Sequence, residues 1–111
     1  MLSFTMKAFT VKKIETPADP ATKKLFWNLF GTTRGAPNRI RIMSHLRNRP
    51  SNPNQLSKEI EIDYKGIIHH LKTLEEYNLV EKFGNRGITT FFTSPMFEKN
   101  EQVFDEIVAN V

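Results

Sequence analysis

The chain contains no cysteine. That excludes disulfides, thiolate nucleophiles and thiolate metal sites together, and it suits a reducing compartment. No apolar run approaches the ~18 residues that a membrane span needs. The lysines of the opening stretch MLSFTMKAFTVKK follow its apolar residues, the reverse of the order in a secretion signal. The expectation is a cytoplasmic protein without a membrane partner. Internal repeats and low-complexity tracts are also lacking. A length of 111 residues supports one small domain, at most with an appendage.

The net charge is only +4, but its distribution is uneven. Residues 1–33 hold five Lys/Arg and two Asp/Glu, residues 34–93 hold ten against six, and residues 94–111 hold one against four. The stretch 34–49 carries Arg34, Arg39, Arg41, Arg47 and Arg49 without an acid. Phenylalanine is split as well. Four of the nine stand before residue 33 and five after residue 82, with none between 31 and 82. The middle reads as a compact helical module with an aliphatic core, and the ends carry aromatic surface that must be buried somewhere.

Residues 2–11 alternate loosely in the period of a strand, through Leu2, Phe4, Met6 and Ala8. Asp19-Pro20 makes an N-cap and first-turn pair for a helix over about 20–30. Leu25, Phe26, Leu29 and Phe30 line one side of it, with Trp27 on the flank. Gly31 and Gly35 bracket a loop. Pro37-Asn38 opens a helix to about Asn48, striped by Ile40, Met43 and Leu46 with Ile42 beside them. Arg39 and Arg47 fall off that stripe. Asn54 can cap a short helix over 55–60 whose inward residues are Leu56 and Ile60.

After a tight Glu61-Ile62 connection, Asp63 caps a helix that runs to about Tyr77 and ends at Asn78. At 100° per residue, Ile67, Leu71 and Leu74 fall on one side. Lys65, His69, Lys72 and Glu76 lie opposite, with Ile68 and Thr73 on the shoulders. The β-branched and aromatic runs 79–83 and 88–93 flank Gly84-Asn85-Arg86-Gly87, a hairpin signal. Ser94-Pro95 starts a last helix with a stripe of Phe97, Phe104, Ile107, Val108 and Val111.

A short helix, a turn and a second helix with a polar outer face form a helix-turn-helix pattern, and the hairpin after it forms a wing. The segment LSKEIEIDYKGIIHHLKTLEEYNLVEKF resembles the winged helix-turn-helix regulators of the ArsR-like type. With GTTRGAPNRIRIM before it and FFTSPMFEKNEQVFDEI after it, the string looks most like a small archaeal branch of that family. The resemblance covers about residues 31–108. Leu56, Ile60, Ile62, Ile67, Leu71 and Leu74 stand where the family keeps its core. Ser57 stands where a small residue lets the helices cross, Asp63 at the cap, and Leu79 and Val80 at the first wing strand. Glu61 replaces the usual turn glycine, which predicts a distorted or longer turn. Gly66 sits inside the second helix at a cost of about 1 kcal/mol against Ala, which suits close approach to a phosphate or to the preceding helix. The cysteine pair of the arsenic-sensing members is missing, so metal sensing by that route is excluded.

The resemblance implies a mainly α fold with a β-hairpin wing, flanked by N- and C-terminal segments. Residues 34–93 would form the DNA-binding domain and residues 1–33 and 94–111 would contribute to dimerisation. The outward face of the 63–77 helix suits a major groove. Lys65, His69 and Lys72 are donors one turn apart, Tyr64 and Thr73 can bond phosphates or bases, and Ile68 can meet a thymine methyl. Asn85 and Arg86 at the hairpin tip suit a minor groove or a phosphate. Arg39 and Arg47, with the backbone near Asn54 and Gln55, suit the flanking phosphates.

The Phe-rich ends have two readings. They complete the monomer's core, or the helices at 20–30 and 96–111 pair with their copies in a homodimer. The second is preferred, because a regulator of this kind presents two reading heads about 34 Å apart. Leu25, Phe26, Leu29, Phe30, Phe97, Phe104, Ile107, Val108 and Val111 would then form the interface. His69 and His70 point about 100° apart and make a poor metal pair, so His70 reads as a packing residue and His45 as an ordinary surface histidine. Asp63 and Glu61 belong to a cap and a turn, and no nucleophile stands with a base. No enzyme, cofactor or metal is expected. Two rival readings are a winged-helix protein-interaction subunit of transcription or repair machinery, and a non-specific architectural DNA binder.

Overall fold

A computed structural model describes residues 18–111, so the alternating segment 2–11 lies outside the described residues. Helix α1 spans Pro20–Trp27, and Asp19 caps it by accepting from the Thr22 amide at 2.8 Å. The helix expected over 20–30 does not stay α-helical to its end. Residues Asn28–Thr32 widen into a π turn. Side chains secure that turn: the Thr33 hydroxyl donates to the Asn28 carbonyl at 2.7 Å, and Arg39 donates to the Leu29 carbonyl at 2.8 Å. Gly31 is required here, since a Cβ would stand 2.5 Å from the Trp27 ring.

Helix α2, Ala36–Asn48, buries Ile42, Met43 and Leu46, with Ile40 partly covered. Helix α3, Pro53–Ile60, starts earlier than expected. Asn52, not Asn54, is its cap, and it exchanges a capping box with Gln55 at 2.8 Å in both directions. The reason is Pro53, which fits the first helical position and leaves Asn52 outside it. Glu61 then adopts the left-handed conformation at φ 56°. The turn keeps the geometry that glycine usually supplies, so the expected distortion or extra residue is absent. The Ser57 hydroxyl closes it by donating to the Ile62 carbonyl at 2.6 Å.

Helix α4, Tyr64–Glu76, is capped by Asp63, which accepts from the Gly66 amide at 3.3 Å. A Cβ on Gly66 would meet Asp63 at 3.0 Å and Ile62 at 3.2 Å, so this glycine makes room for the cap and the turn. The far end is a Schellman closure. Asn78 sits at φ 65°, its amide donates to Glu75 at 3.0 Å, and the Leu79 amide reaches Leu74 at 2.8 Å.

Strands β1, Val80–Asn85, and β2, Ile88–Thr93, pair antiparallel from Val80↔Thr93 to Asn85↔Ile88. The expected four-residue joint shrinks to two residues, Arg86 and Gly87. Both have positive φ (54° and 80°), which matches the twist of a tight hairpin. Ser51 and Phe91 exchange two backbone hydrogen bonds, at 3.1 and 2.8 Å, and fasten the hairpin to the loop before α3. The expected last helix breaks at Asn100 into α5, Pro95–Lys99, and α6, Glu101–Asn110. Buried Ser94 starts α5 by accepting from the Phe97 amide, while its hydroxyl donates to the Asn78 carbonyl.

The aromatic ends meet inside the monomer. Phe26, Phe30, Phe97 and Phe104 are fully buried. Their neighbouring ring centroids lie 5.0 to 6.2 Å apart, three pairs edge-on and Phe26–Phe97 stacked. Leu29 and Ile107 join them in one core that is continuous with Ile67, Leu71 and Leu74 of α4. Assigning Phe26, Leu29, Phe30, Phe97, Phe104 and Ile107 to a dimer interface is therefore corrected. Aromatic rings of this size are too costly to leave in water when α1, α5 and α6 can fold over α2. Of that set, Val108 and Val111 are exposed and Leu25 is partly exposed. No helix among the described residues is long and apolar enough to cross a membrane.

Candidate nucleic-acid interface

Helix α4 has two chemically distinct sides. Ile67, His70, Leu71 and Leu74 are buried, whereas Tyr64, Lys65, Ile68, His69 and Lys72 are exposed. Thr73 lies on the shoulder, and its hydroxyl donates to the His69 carbonyl at 3.3 Å within the same helix. The exposed side forms one wall of an open cleft of ≈ 450 Å³, and the hairpin forms the other. Tyr64, Ile68 and Lys72 line the first wall, Lys82 and Thr89 the second, and Asn54 the end. Gln55 and Asn54 are exposed in the first turn of α3, although the Gln55 side chain also serves the capping box. Asn85 and Arg86 are exposed at the hairpin tip.

Two cleft residues escape the helical reading, Glu75 and Lys82. Their charged groups lie 3.4 Å apart and tie α4 to β1. Lys82 is exposed and Glu75 partly exposed, so the pair contributes about 0–1 kcal/mol. The pleat was the available signal: Lys82 shares a face with Val80, which the core buries.

Two arginines leave the candidate set. Arg39 is only 7% exposed. It donates to the Leu29 carbonyl and to the Thr33 hydroxyl, so it braces the π turn instead of reaching a phosphate. Burial lowers its pKa. Arg47 donates to Asp105 at 2.8 Å, approaches Glu101 at 3.4 Å, and lies 4.9 Å from the Phe104 ring centroid. Its charge is matched inside the chain by the acidic C-terminal helix. Arg41 donates to the Ile60 carbonyl at the end of α3, where a cation complements the helix dipole.

The histidines separate into three roles. His69 faces solvent on α4. His45 is not an ordinary surface residue: its Nε2 lies 3.1 Å from Glu59 and 3.2 Å from the Ser51 hydroxyl, linking α2 to α3 and to the loop that holds the hairpin. His70 is buried, as a packing residue should be, and its Nδ1 has no hydrogen-bond partner. Burial, then Arg39, then His69 push its pKa below the ordinary histidine value. A Cβ at Gly35 would come within 2.6 Å of Arg39 and 2.8 Å of His70, so that glycine lets the two rest against the start of α2. Among the described residues no three His, Asp or Glu side chains are grouped to hold a metal ion.

Among the described residues, six helices, a helix-turn-helix joint with Glu61 in the left-handed conformation and a two-stranded hairpin bridged to the loop before α3 define a winged-helix fold. Residues 36–82 match the family described as bacterial regulatory protein, arsR family, and over that stretch the chain is similar to its members. Solved structures share the fold. Reduced HlyU of Vibrio cholerae is 17% identical, with 75% of this chain and 83% of that one covered at a TM-score of 0.59. The transcriptional regulator BldR of Sulfolobus solfataricus is also 17% identical, with 94% and 75% covered at 0.60. The reduced form of the transcriptional regulator YodB of B. subtilis is 18% identical, with 84% and 90% covered at 0.61. No curated protein matches the chain in sequence.

Proposed function

We propose that the chain is a sequence-specific DNA-binding transcription regulator that works in the cytoplasm as a homodimer. Helix α4 would enter the major groove, and the hairpin residues 84–87 would rest on the flanking backbone or minor groove. One observation carries the reading: the solvent face of α4 presents Tyr64, Lys65, Ile68, His69 and Lys72 beside the hairpin, while its other face is locked in the core. Lys65 and Lys72 make no hydrogen bond or ion pair among the described residues, which suits them to release counterions from phosphates, so binding should fall steeply with salt. Dimerisation is supported by a smaller surface than the sequence suggested. Trp27 of α1 and Val108 and Val111 at the end of the chain are exposed, and Trp27 lies over Gly31 beside Ile107.

Selection from a pool of random duplexes tests the reading. A consensus with two half-sites about one helical turn apart supports it. Binding without a consensus points to an architectural role, and no binding at moderate salt points to a protein-interaction subunit.

A further inference from the structure

The hairpin tip carries apolar surface that neither the fold nor a phosphate contact uses. Every residue of β1 beyond Val80 is exposed. Phe83 is 64% exposed and Ile88 57%. Phe83 pairs with Thr90 and Asn85 with Ile88. Alternate residues of a strand share a face, so Phe83 and Ile88 stand on the same face as diagonal neighbours. Arg86 and Gly87 make the turn beside them. Arg86 is the charge at the tip; Glu81 lies on the same face beyond Phe83, away from the turn, and Lys82 is on the other face, paired with Glu75. Ile88 reaches the rim of the cleft beside Gly87, whereas Lys82 and Thr89 line it from the other face of the hairpin, so the patch lies on the side of the hairpin turned away from α4.

A single exposed Phe is ordinary. Two large apolar side chains beside an arginine, on a hairpin that stands clear of the core, call for a partner that is apolar and anionic together. The minor groove is such a partner. Its narrow tracts attract arginine, and apolar side chains can part its base steps and bend the duplex. An apolar protein groove would accept Phe83 and Ile88 but leave Arg86 without a counter-charge.

We propose that the hairpin tip is an apolar wedge for the DNA minor groove, with Arg86 in the groove, Ile88 against a base step and Phe83 against the sugars. It bends the duplex beside the half-site that α4 reads. This rests on the DNA-binding reading above.

The test uses the full chain and a duplex carrying a selected site, labelled with a fluorescent donor and acceptor at its ends. Affinity, end-to-end distance and salt dependence are measured for the wild type, Phe83→Ser/Ile88→Thr and Arg86→Ala. Both residues are exposed, and an unchanged unfolding midpoint verifies that the double variant folds. The wild type should shorten the duplex. The double variant should lose the shortening and bind about ten- to fiftyfold more weakly, with the slope of log K against log salt unchanged, because no counterion is involved. Arg86→Ala should lower that slope by about one. Wild-type affinity and bending in the double variant would overturn the wedge. So would conversion of a dimer to a monomer, which assigns the patch to a second copy. If the wild type itself binds no duplex, the DNA-binding reading fails and the wedge falls with it.

Discussion

The two halves of the molecule treat their cations in opposite ways. On the hairpin side of α4, Lys65, Lys72 and Arg86 extend into solvent and make no hydrogen bond or ion pair within the described chain. On the aromatic side, Arg39 and Arg47 are drawn into contacts with a carbonyl, a hydroxyl, two carboxylates and a ring. Counting basic residues along the chain groups all five together, whereas burial and partners divide them. A cation already matched inside the fold has little to gain from a phosphate, and one left in water gains the release of counterions.

The largest way to break this division is to remove an aromatic. Phe104→Ala should cost about 3–5 kcal/mol in urea unfolding, because its ring contacts Phe30 and Phe97 and supports Arg47. Comparing Arg47→Ala with Lys72→Ala sharpens the contrast. The first should lower stability by about 1–2 kcal/mol and leave the salt slope of DNA binding alone. The second should leave the unfolding midpoint alone, weaken binding about tenfold and reduce the slope by about one. Equal effects of the two on the salt slope would erase the distinction between the halves.

His70 sets a smaller, pH-dependent test at the seam between the halves. Its folded pKa lies below its unfolded value. Below about pH 6.5 the unfolded chain therefore takes up a proton that the folded chain resists, and stability falls as pH drops through that range. Unfolding midpoints between pH 7.5 and 5 should show this decline. His70→Phe should flatten it relative to the wild type, and a parallel decline in the variant would assign it elsewhere. The smallest expected effect is at the helix-turn-helix joint. Glu61→Gly should stabilise by about 0.5–1 kcal/mol, since glycine adopts the left-handed conformation without a Cβ penalty. Thermal unfolding reads it directly.

Much of the reading half was legible from local chemistry. Asp63 announces its cap, Ile67, Leu71 and Leu74 announce their face, and Asn78 announces the stop, because each depends on residues within a turn or two. Even the shift from Asn54 to Asn52 has a local sign in Pro53. The aromatic half resists such reading. Arg39 looked free because its acceptor, the Leu29 carbonyl, is presented only after the chain widens into a π turn ten residues earlier. Arg47 looked free because Asp105 stands 58 positions away. Phe26 and Phe104 fit a dimer seam as well as a core until the distance between α1 and α6 is known. At the hairpin tip, alternation alone did not reveal that Phe83 and Ile88 would both lie uncovered.

Trp27 gives the molecule a built-in optical contrast. It is the sole tryptophan, it lies across Gly31 at the turn braced by Arg39, and it is partly open to solvent. Its emission reports on the aromatic half without a label. Covering it with a second copy shifts that emission to shorter wavelength as protein concentration rises. Tyr64, one of two tyrosines, belongs to the face assigned to DNA. Excitation at the red edge of protein absorption selects Trp27 over both tyrosines, so association at the back is read without a contribution from the face assigned to DNA.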